Sequence, residues 1–383
     1  MDLEERIARR RTDNGRGGPI VDRDALSPTV HREEPVGRGS VLEWLLDAVE
    51  PTFSGELPAP FAVVGPPGSG TSAVVTALFR ALNADLADTG GTIGTTTRAG
   101  SGEPTTWFVY VDARRVGSAF SFYRTVLSTV DADPVPTSGV GTDDLRDRLR
   151  TQLSSRDRRA VVAIDHHDEP GALSADRAEE LLEPVAASTT AVFVGQRAPA
   201  GWEYSSIEVP AYRRHELVDI LTERASAGLA GGTFDHRTLR TVAEWADGNA
   251  HDALTALFVA AILACDADAT SIDRTHLEAA MADIPRGGVH VDRVLSLSET
   301  RQRVIAGLIA LESAAEEPIR KLAEAIAADT ALTTGTVKRL LYELADDELL
   351  ARVPLDRTGS GRRPSTLEPR FSTVAFTALS PVA

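Results

Sequence analysis

The strongest chemical signal in this chain is a glycine-rich segment, Gly65-Pro66-Pro67-Gly68-Ser69-Gly70-Thr71-Ser72. Its spacing matches the nucleotide phosphate-binding motif G-x-x-x-x-G-K-[ST] at every fixed position but one, because Thr71 stands where the motif has lysine. Backbone N–H groups and the N-terminus of a following helix can still surround phosphate, and the Ser72 hydroxyl can hold Mg²⁺. The point charge for the terminal phosphates is missing. We therefore expect weak binding of ATP or ADP, with hydrolysis in doubt.

An acidic residue ends a second apolar run, Val161-Val162-Ala163-Ile164, which is followed by Asp165. A carboxylate at the carboxyl end of a buried strand can hold Mg²⁺ through water. The next position, where a nucleotide hydrolase has a glutamate to polarise water, is His166. The pair His166-His167 suggests a metal site, but a partly exposed strand end without a third ligand is the favoured interpretation.

The effect of the missing lysine is large on physical grounds. A unit charge about 4 Å from a phosphate is worth roughly 4 kcal/mol at intermediate dielectric, and losing half of that lowers affinity more than tenfold. No lysine precedes Lys321, so none stands near the loop in sequence to replace it. Arginine is abundant, yet position 71 holds threonine, so avoidance of lysine does not explain the change.

These motifs lie in a pattern of alternating strands and helices. Apolar runs at 61–64, 107–111, 160–164 and 191–194 predict strands, and the segments between them predict helices at about 40–50, 118–130, 142–154 and 174–187. Such alternation is typical of a parallel sheet with helices on both faces. We predict a flexible tail over 1–28, an α/β nucleotide-binding domain over 29–205, a helical domain over 206–288 and a third domain over 289–383.

The third domain has the pattern of a winged helix-turn-helix that binds double-stranded DNA. Three predicted helices, at about 298–312, 318–327 and 333–345, precede predicted strands at 350–353 and 370–373. A recognition helix places its N-terminal half in the major groove, and a wing contacts the phosphates or the minor groove. A solvated helix face and protein binding are the alternatives. The candidate DNA-binding residues are Thr333, Thr334, Thr336, Lys338, Arg339, Arg357, Arg362 and Arg363.

The charge balance is acidic, and its cations are unusual. The formal net charge is −16, and only two of the 40 Lys and Arg residues, Lys321 and Lys338, are lysine. This composition predicts a protein kept soluble in concentrated salt; a genome that favours arginine codons is the alternative. The charged N-terminus, the lack of a membrane-length apolar run and a single cysteine, Cys265, predict a soluble cytoplasmic protein without disulfides.

The order of parts resembles the archaeal origin-recognition (Orc/Cdc) replication initiators over nearly the whole chain beyond residue 28. Segments that carry the resemblance include Val30-His31-Arg32-Glu33-Glu34 before the phosphate loop, Val209-Pro210-Ala211-Tyr212 after the sheet, and Gly248-Asn249-Ala250-His251 at a sensor-2 helix. The resemblance implies an AAA+ P-loop sheet with a helical lid and a C-terminal winged helix. It also implies double-stranded DNA and other initiators as partners.

The departures from that family's pattern cluster at the chemistry. Thr71 replaces the lysine, His166 the Walker B glutamate, Gln196 the sensor-1 asparagine and His251 the sensor-2 arginine. No residue is therefore assigned a catalytic role. We expect a haloarchaeal initiator paralogue with weak or absent ATP hydrolysis, which binds DNA through the winged helix and a helix near 118–130. An active ATPase with unusual residues and a DNA-binding transcription regulator are the alternatives.

Overall fold

The computed structural model describes residues 18–90, 105–155, 157–311, 314–355 and 363–382. They form two compact units, one running from His31 to Tyr212 and the other joining the residues up to Val30 to those from Arg213 onward. We call these the sheet unit and the helical unit. The first helix, α1 (Arg23–Leu26), belongs to the helical unit. Within the described ranges, no helix is long and apolar enough to cross a membrane.

The sheet unit contains a five-stranded parallel sheet with the strand order β2-β3-β4-β1-β5. Strand β3 is buried along most of its length, because helices cover both faces and leave its apolar side chains no contact with water. The strands are β1 (Phe61–Val64), β2 (Thr105–Asp112), β3 (Arg158–Asp165), β4 (Thr189–Gly195) and β5 (Ser205–Glu208).

Helices on the two faces of the sheet form two hydrophobic cores. One core centres on Phe122, Leu127 and Phe193, and the other on Leu45, Phe61 and Val74. Each helix places an apolar stripe against the sheet, as the period of its sequence predicts. The helices are α2 (Gly39–Val49), α3 (Thr71–Gly90), α4 (Ala119–Val130), α5 (Thr142–Gln152) and α6 (Ala175–Leu182), with 3-10 turns at Glu50–Ser54 and Glu183–Ser188.

Strand register brings the predicted motifs to one edge of the sheet. Asp165 is paired with Asp112 on one side and with Val194 on the other. Val64, the last residue before the phosphate loop, is paired with Gly195. Because all these strands are parallel, their carboxyl ends lie side by side, which is where ligands bind in such sheets.

The helical unit begins with α1, which packs on the first helix of the predicted lid. Leu26 is fully buried, Ile20 forms a bridge to Leu229, and the buried Arg224 donates hydrogen bonds to the carbonyls of Ala25 and Val30. The flexible tail predicted over 1–28 is therefore too long, since 18–28 is ordered by these contacts. The lid helices are α7 (Arg214–Gly228), α8 (His236–Ala246), α9 (Ala250–Asp266) and α10 (Arg274–Asp283).

The C-terminal part contains three helices and a hairpin in the order expected for a winged helix-turn-helix. Two short helices, α11 and α15, were not expected from the sequence. Asp283, at the end of α10, accepts hydrogen bonds from the hydroxyls of Ser372 and Thr373 and from two backbone N–H groups at the start of α15. The elements are α11 (Val291–Leu295), α12 (Glu299–Ile309), α13 (Ile319–Ala328), α14 (Thr334–Asp346), β6 (Leu350–Pro354), β7 (Ser365–Pro369) and α15 (Thr373–Leu379), with a 3-10 turn at Ala314–Glu316.

Two strand predictions were wrong. The strand expected at 370–373 lies at Ser365–Pro369, because Phe371 is buried and Ser372 caps α15 through a hydrogen bond from the Ala375 N–H. The strand β5 was not expected at all. It carries a single apolar residue, Ile207, and exists because β1 offers it a backbone to pair with.

The buried arginine of α7 yields a test of how the N-terminal segment is held. We expect Arg224→Met to lower the free energy of unfolding by about 2–4 kcal/mol, because two carbonyls lose a charged donor while the apolar stem stays. Arg214→Met on the same helix, where the side chain is exposed and pairs with Glu244, should change it by less than about 1 kcal/mol. Urea unfolding followed by circular dichroism measures both. Equal losses would contradict a structural role for Arg224.

Candidate functional site

The phosphate loop lies between β1 and α3 and has the compact form that its glycines allow. A Cβ atom on Gly65 would lie 2.5 Å from both the Ser69 Oγ and the Val209 carbonyl oxygen, and Gly70 has a φ of +85°. The Ser69 N–H donates to the Pro66 carbonyl at 3.0 Å. Only glycine fits at both positions, so the backbone of a phosphate cradle is retained.

A buried arginine, Arg38, is hydrogen-bonded to the backbone of this loop. Its side chain donates from Nε and Nη2 to the Ser69 carbonyl oxygen at 3.0 and 2.7 Å, and from Nη2 to the Pro210 carbonyl oxygen at 2.7 Å. The guanidinium carbon lies 3.4 Å from the centre of the Tyr212 ring. Arg38 thus cross-links the loop to the end of the sheet unit. Nothing in its local sequence, where Gly37 and Gly39 flank it, pointed to this role.

Thr71 and Ser72 form the first turn of α3, and both are half-buried. The Thr71 Cγ2 atom lies 3.2 Å from where a Cβ atom on Gly65 would stand, so the Thr71 methyl group faces back toward the loop. The site therefore keeps the backbone donors of the motif and the Ser72 hydroxyl. In the described residues, the cation that lies at the loop is Arg38, and its hydrogen bonds go to carbonyl oxygens.

The carboxylate of Asp165 is fully buried and is bound by donors of the chain itself. The Tyr110 hydroxyl donates to Oδ2 at 2.5 Å, and the His166 N–H donates to Oδ1 at 2.8 Å. The imidazole Nε2 of His166 lies 3.6 Å from Oδ2. Each oxygen thus accepts one hydrogen bond from the chain itself and keeps a second lone pair, so the carboxylate is satisfied within the protein.

His166 is held in a conformation and a charge state that suit this contact. Its φ is +62°, and its Nδ1 lies 2.9 Å from Oε1 of Glu169. Burial alone would lower the pKa of His166, but the charge of Asp165 and the hydrogen bond with Glu169 outweigh it and raise the pKa to about 9. At neutral pH the ring is therefore an imidazolium beside Asp165.

The neighbours of Asp165 complete a charged network at the ends of β2 and β3. Burial and the charge of Asp165 raise the pKa of Tyr110 well above its usual value, so Tyr110 stays a hydrogen-bond donor. Asp112, which burial alone would make less acidic, has its pKa lowered by hydrogen bonds and ion pairing with Arg114. With Glu169, which contacts His166 and Arg114, and Arg115, which pairs with Asp112, the network contains three acidic and three basic side chains.

The other predicted residues of the sheet unit have different surroundings. His167 is buried with its ring 5.3 Å from that of Phe193, and burial lowers the pKa of His167. His167 is therefore neutral and packed, and it is more buried than the partly exposed strand-end pair that the sequence favoured. Gln196 is exposed and lines a cavity of about 720 Å³ together with Trp44, Gly65 and Pro66. His251 belongs to the helical unit.

The candidate DNA-binding residues of α14 share an exposed face. Thr333 caps the helix by accepting a hydrogen bond from the Thr336 N–H, and Thr333, Thr334 and Lys338 are exposed. Arg339 is also exposed and forms an ion pair with Glu343. The opposite face, formed by Val337, Leu340, Leu341 and Leu344, is buried.

The hairpin beside α14 also carries arginine. Arg363 is exposed two residues before β7, whereas Arg357 and Arg362 lie outside the described residues. Arg352, on β6, was not among the candidate contacts. It lies 4.8 Å above the Tyr342 ring and pairs with Asp346, which joins the hairpin to α14. Arg352 is therefore held against the helix although it is exposed, and Arg363 is a second exposed arginine of the described hairpin.

Comparison with known proteins supports the family and the fold expected from the sequence. Residues 34–194 match the AAA ATPase domain family. A curated protein of Halobacterium salinarum, "ORC1-type DNA replication protein 6", is 23% identical over 303 residues, which cover 71% of this chain and 73% of that protein.

Solved structures agree with this relationship at the level of the fold. The structure of the Aeropyrum pernix ORC1 protein in complex with DNA superposes with a TM-score of 0.62 and 21% identity, covering 94% of this chain and 96% of that one. The Aeropyrum pernix ORC2 protein, solved as ADPNP-ADP complexes, gives a TM-score of 0.54 and 16% identity, covering 94% and 99%. The chain is therefore a homologue of the ORC1-type DNA replication proteins, built around an AAA ATPase domain and an Orc1/Cdc6-like fold.

Proposed function

We propose that this protein is a replication-initiator paralogue that binds duplex DNA through its C-terminal helices and hairpin and that does not turn over ATP. The observation that supports the absence of ATP turnover is the hydrogen-bonded network around Asp165. A Walker B carboxylate acts by presenting oxygen to the water shell of Mg²⁺. Here Tyr110 and His166 already donate one hydrogen bond to each oxygen.

The protonated His166 supplies the charge that a metal ion would otherwise bring. An imidazolium between Asp165 and Glu169 neutralises a buried carboxylate and repels a second cation. The same residue stands where a glutamate would polarise the attacking water. Histidine in place of glutamate at position 166 thus removes the water-activating group and gives the Asp165 carboxylate a partner from within the chain.

The phosphate loop supports weak nucleotide binding rather than none. Its glycines and backbone N–H groups have the form that binds phosphate, and the related ORC2 protein of Aeropyrum pernix was solved with ADPNP and ADP. Arg38 holds the loop in this form through the Ser69 carbonyl. Bound ATP or ADP would then be a structural ligand, with Mg²⁺ contacted by Ser72 alone among the predicted metal residues.

The C-terminal elements support DNA binding by their shape and exposed groups. Helix α14 presents threonine hydroxyls and two cations at its N-terminal half, and Arg363 is exposed on the hairpin. The Aeropyrum pernix ORC1 protein, which has the same fold, was solved in complex with DNA. We assign the predicted contacts to Thr333, Thr334, Thr336, Lys338 and Arg339, together with the wing arginines Arg357, Arg362 and Arg363.

The acidic, lysine-poor surface fits a haloarchaeal cytoplasm, where other origin-recognition-type initiators would be the protein partners. At about 1 M salt the screening length falls to about 3 Å, so an acidic protein and DNA repel each other little. Release of counterions also contributes little affinity there. Base-edge contacts from the threonines therefore carry more of the recognition. Enrichment of the protein at promoters instead of origins in a genomic map would favour the regulator alternative.

One prediction of this proposal concerns the lysine that is missing at position 71. We expect Thr71→Lys to tighten the binding of a fluorescent ATP analogue more than tenfold, because a charge near the phosphates is restored. Thr71→Met, which has similar length and no charge, should leave the affinity close to that of the parent chain. Equal affinities for the two variants would contradict the charge argument.

The same preparations test hydrolysis. The parent chain should release no phosphate from Mg-ATP above a protein-free blank, and Thr71→Lys alone should not change this because His166 still occupies the Asp165 carboxylate. Turnover by the parent chain that disappears in Asp165→Ala would overturn the proposal and favour the active-ATPase alternative.

A second prediction follows from the raised pKa of His166. A group whose pKa is higher in the folded state adds stability below its unfolded pKa of about 6.5 and loses that contribution as pH rises through its folded pKa. With a pKa of about 9, unfolding free energy should fall by up to about 3 kcal/mol between pH 6.5 and pH 9. His166→Asn, which tolerates the positive φ, should flatten that slope in urea titrations. Parallel slopes for the two proteins would exclude the imidazolium.

A third prediction separates the two lysines of the chain. Lys338→Ala should weaken binding to a duplex several-fold in fluorescence anisotropy, because an exposed phosphate contact on α14 is lost. Lys321→Ala, on α13 and paired with Glu317, serves as the matched control and should bind like the parent chain. Arg363→Ala tests the wing in the same way. If Lys338→Ala binds as well as Lys321→Ala at working salt, α14 does not meet DNA.

A further inference from the structure

Two histidines and two carboxylates meet where the lid joins the C-terminal part of the helical unit. His251 and Asp252 lie in the first turn of α9, and His290 and Asp292 lie at the start of α11. One donor atom from each of His251, Asp252 and His290 lies within 4.8 Å of the others. The Asp292 Oδ1 lies 3.8 Å from the His251 Nε2 and adds a second carboxylate beside this group of three.

The two histidine rings of this cluster lie face to face, and one of them has a nitrogen without a hydrogen bond. The rings stack at a centroid distance of 3.8 Å and an angle of 9°. Within the described chain, the buried Nε2 of His251 has no hydrogen-bond partner, and a buried ring nitrogen without one is costly.

The distances are near those between the ligands of a small divalent cation. Tetrahedral ligands about 2.0–2.1 Å from Zn²⁺ lie about 3.4 Å from one another. The donor atoms of His251, Asp252 and His290 lie within 4.8 Å of one another, so the three donors need to approach one another further to hold such an ion.

We propose that His251, His290 and Asp252 bind a divalent transition-metal ion of the Zn²⁺ class, with Asp292 as a nearby carboxylate. Two imidazoles and one carboxylate are a donor set for such an ion, and the carboxylates offset its charge. The ion joins the first turn of α9 to the first turn of α11, and so fixes the lid to the segment that leads into the C-terminal helices. This role is independent of nucleotide and of DNA.

The test uses Co²⁺ as a spectroscopic substitute for Zn²⁺ on the full-length, tag-free protein after treatment with a chelator. Visible absorption should show one tetrahedral Co²⁺ per chain, which added Zn²⁺ displaces. His251→Gln and His290→Gln should each lower the Zn²⁺ affinity by about 10- to 100-fold or more. His215→Gln, an exposed histidine of α7, is the matched control and should bind like the parent chain.

The outcomes are distinct. Weak octahedral Co²⁺ spectra that persist in His251→Gln would mean binding to surface carboxylates only, and would overturn the proposal. Absence of any Co²⁺ spectrum in the parent chain would also overturn it. Circular dichroism checks that each variant is folded, and the conservative Asp252→Asn replaces any that is not, with the same loss of affinity expected. A rise in melting temperature with Zn²⁺ that His290→Gln abolishes would support the proposed metal link between α9 and α11.

Discussion

The buried charge of Asp165 is the constraint on which the sheet unit's site depends. A carboxylate without water must be paired and hydrogen-bonded, since an isolated one would cost many kcal/mol. In this chain Tyr110 and His166 meet that need. The left-handed backbone of His166 returns its ring toward Asp165, and Glu169 holds the other side of the ring. The resulting network pairs and hydrogen-bonds this carboxylate within the chain, at the end of β3 where the sequence predicted a metal ligand.

The phosphate loop and the network around Asp165 retain the backbone form of a nucleotide-binding site, but the lysine at position 71 and the glutamate at position 166 are absent. The loop still has glycines that only its tight turn explains, and Arg38 cross-links it to Pro210 and stacks on Tyr212. An arginine in that position stabilises the loop by binding carbonyl oxygens, which is a structural role.

The sequence predicted the helices and the central strands well, because their apolar periods are long and regular. It failed where a few residues took their structure from a neighbour. The edge strand β5 has one apolar side chain and forms only because β1 can pair with it. The second hairpin strand was placed too late because Phe371 looks like a strand residue but packs in the core next to the cap of α15. Likewise the polar segment 18–28 was predicted to be a tail, although Arg224, 199 positions after Ala25, donates to the Ala25 carbonyl oxygen.

The sequence by itself determined that this chain has a phosphate-loop fold, that the lysine is absent and that the residue after Asp165 cannot act as the usual glutamate. Local spacing is enough for these points, because a motif is a property of neighbouring residues. Only the tertiary structure decided what the remaining groups do. It brought Tyr110 to Asp165 from another strand, Arg38 to the phosphate loop, and His290 to His251 from 39 positions away. Those contacts join residues distant in sequence, and they arise from strand register and helix packing, which no local pattern specifies.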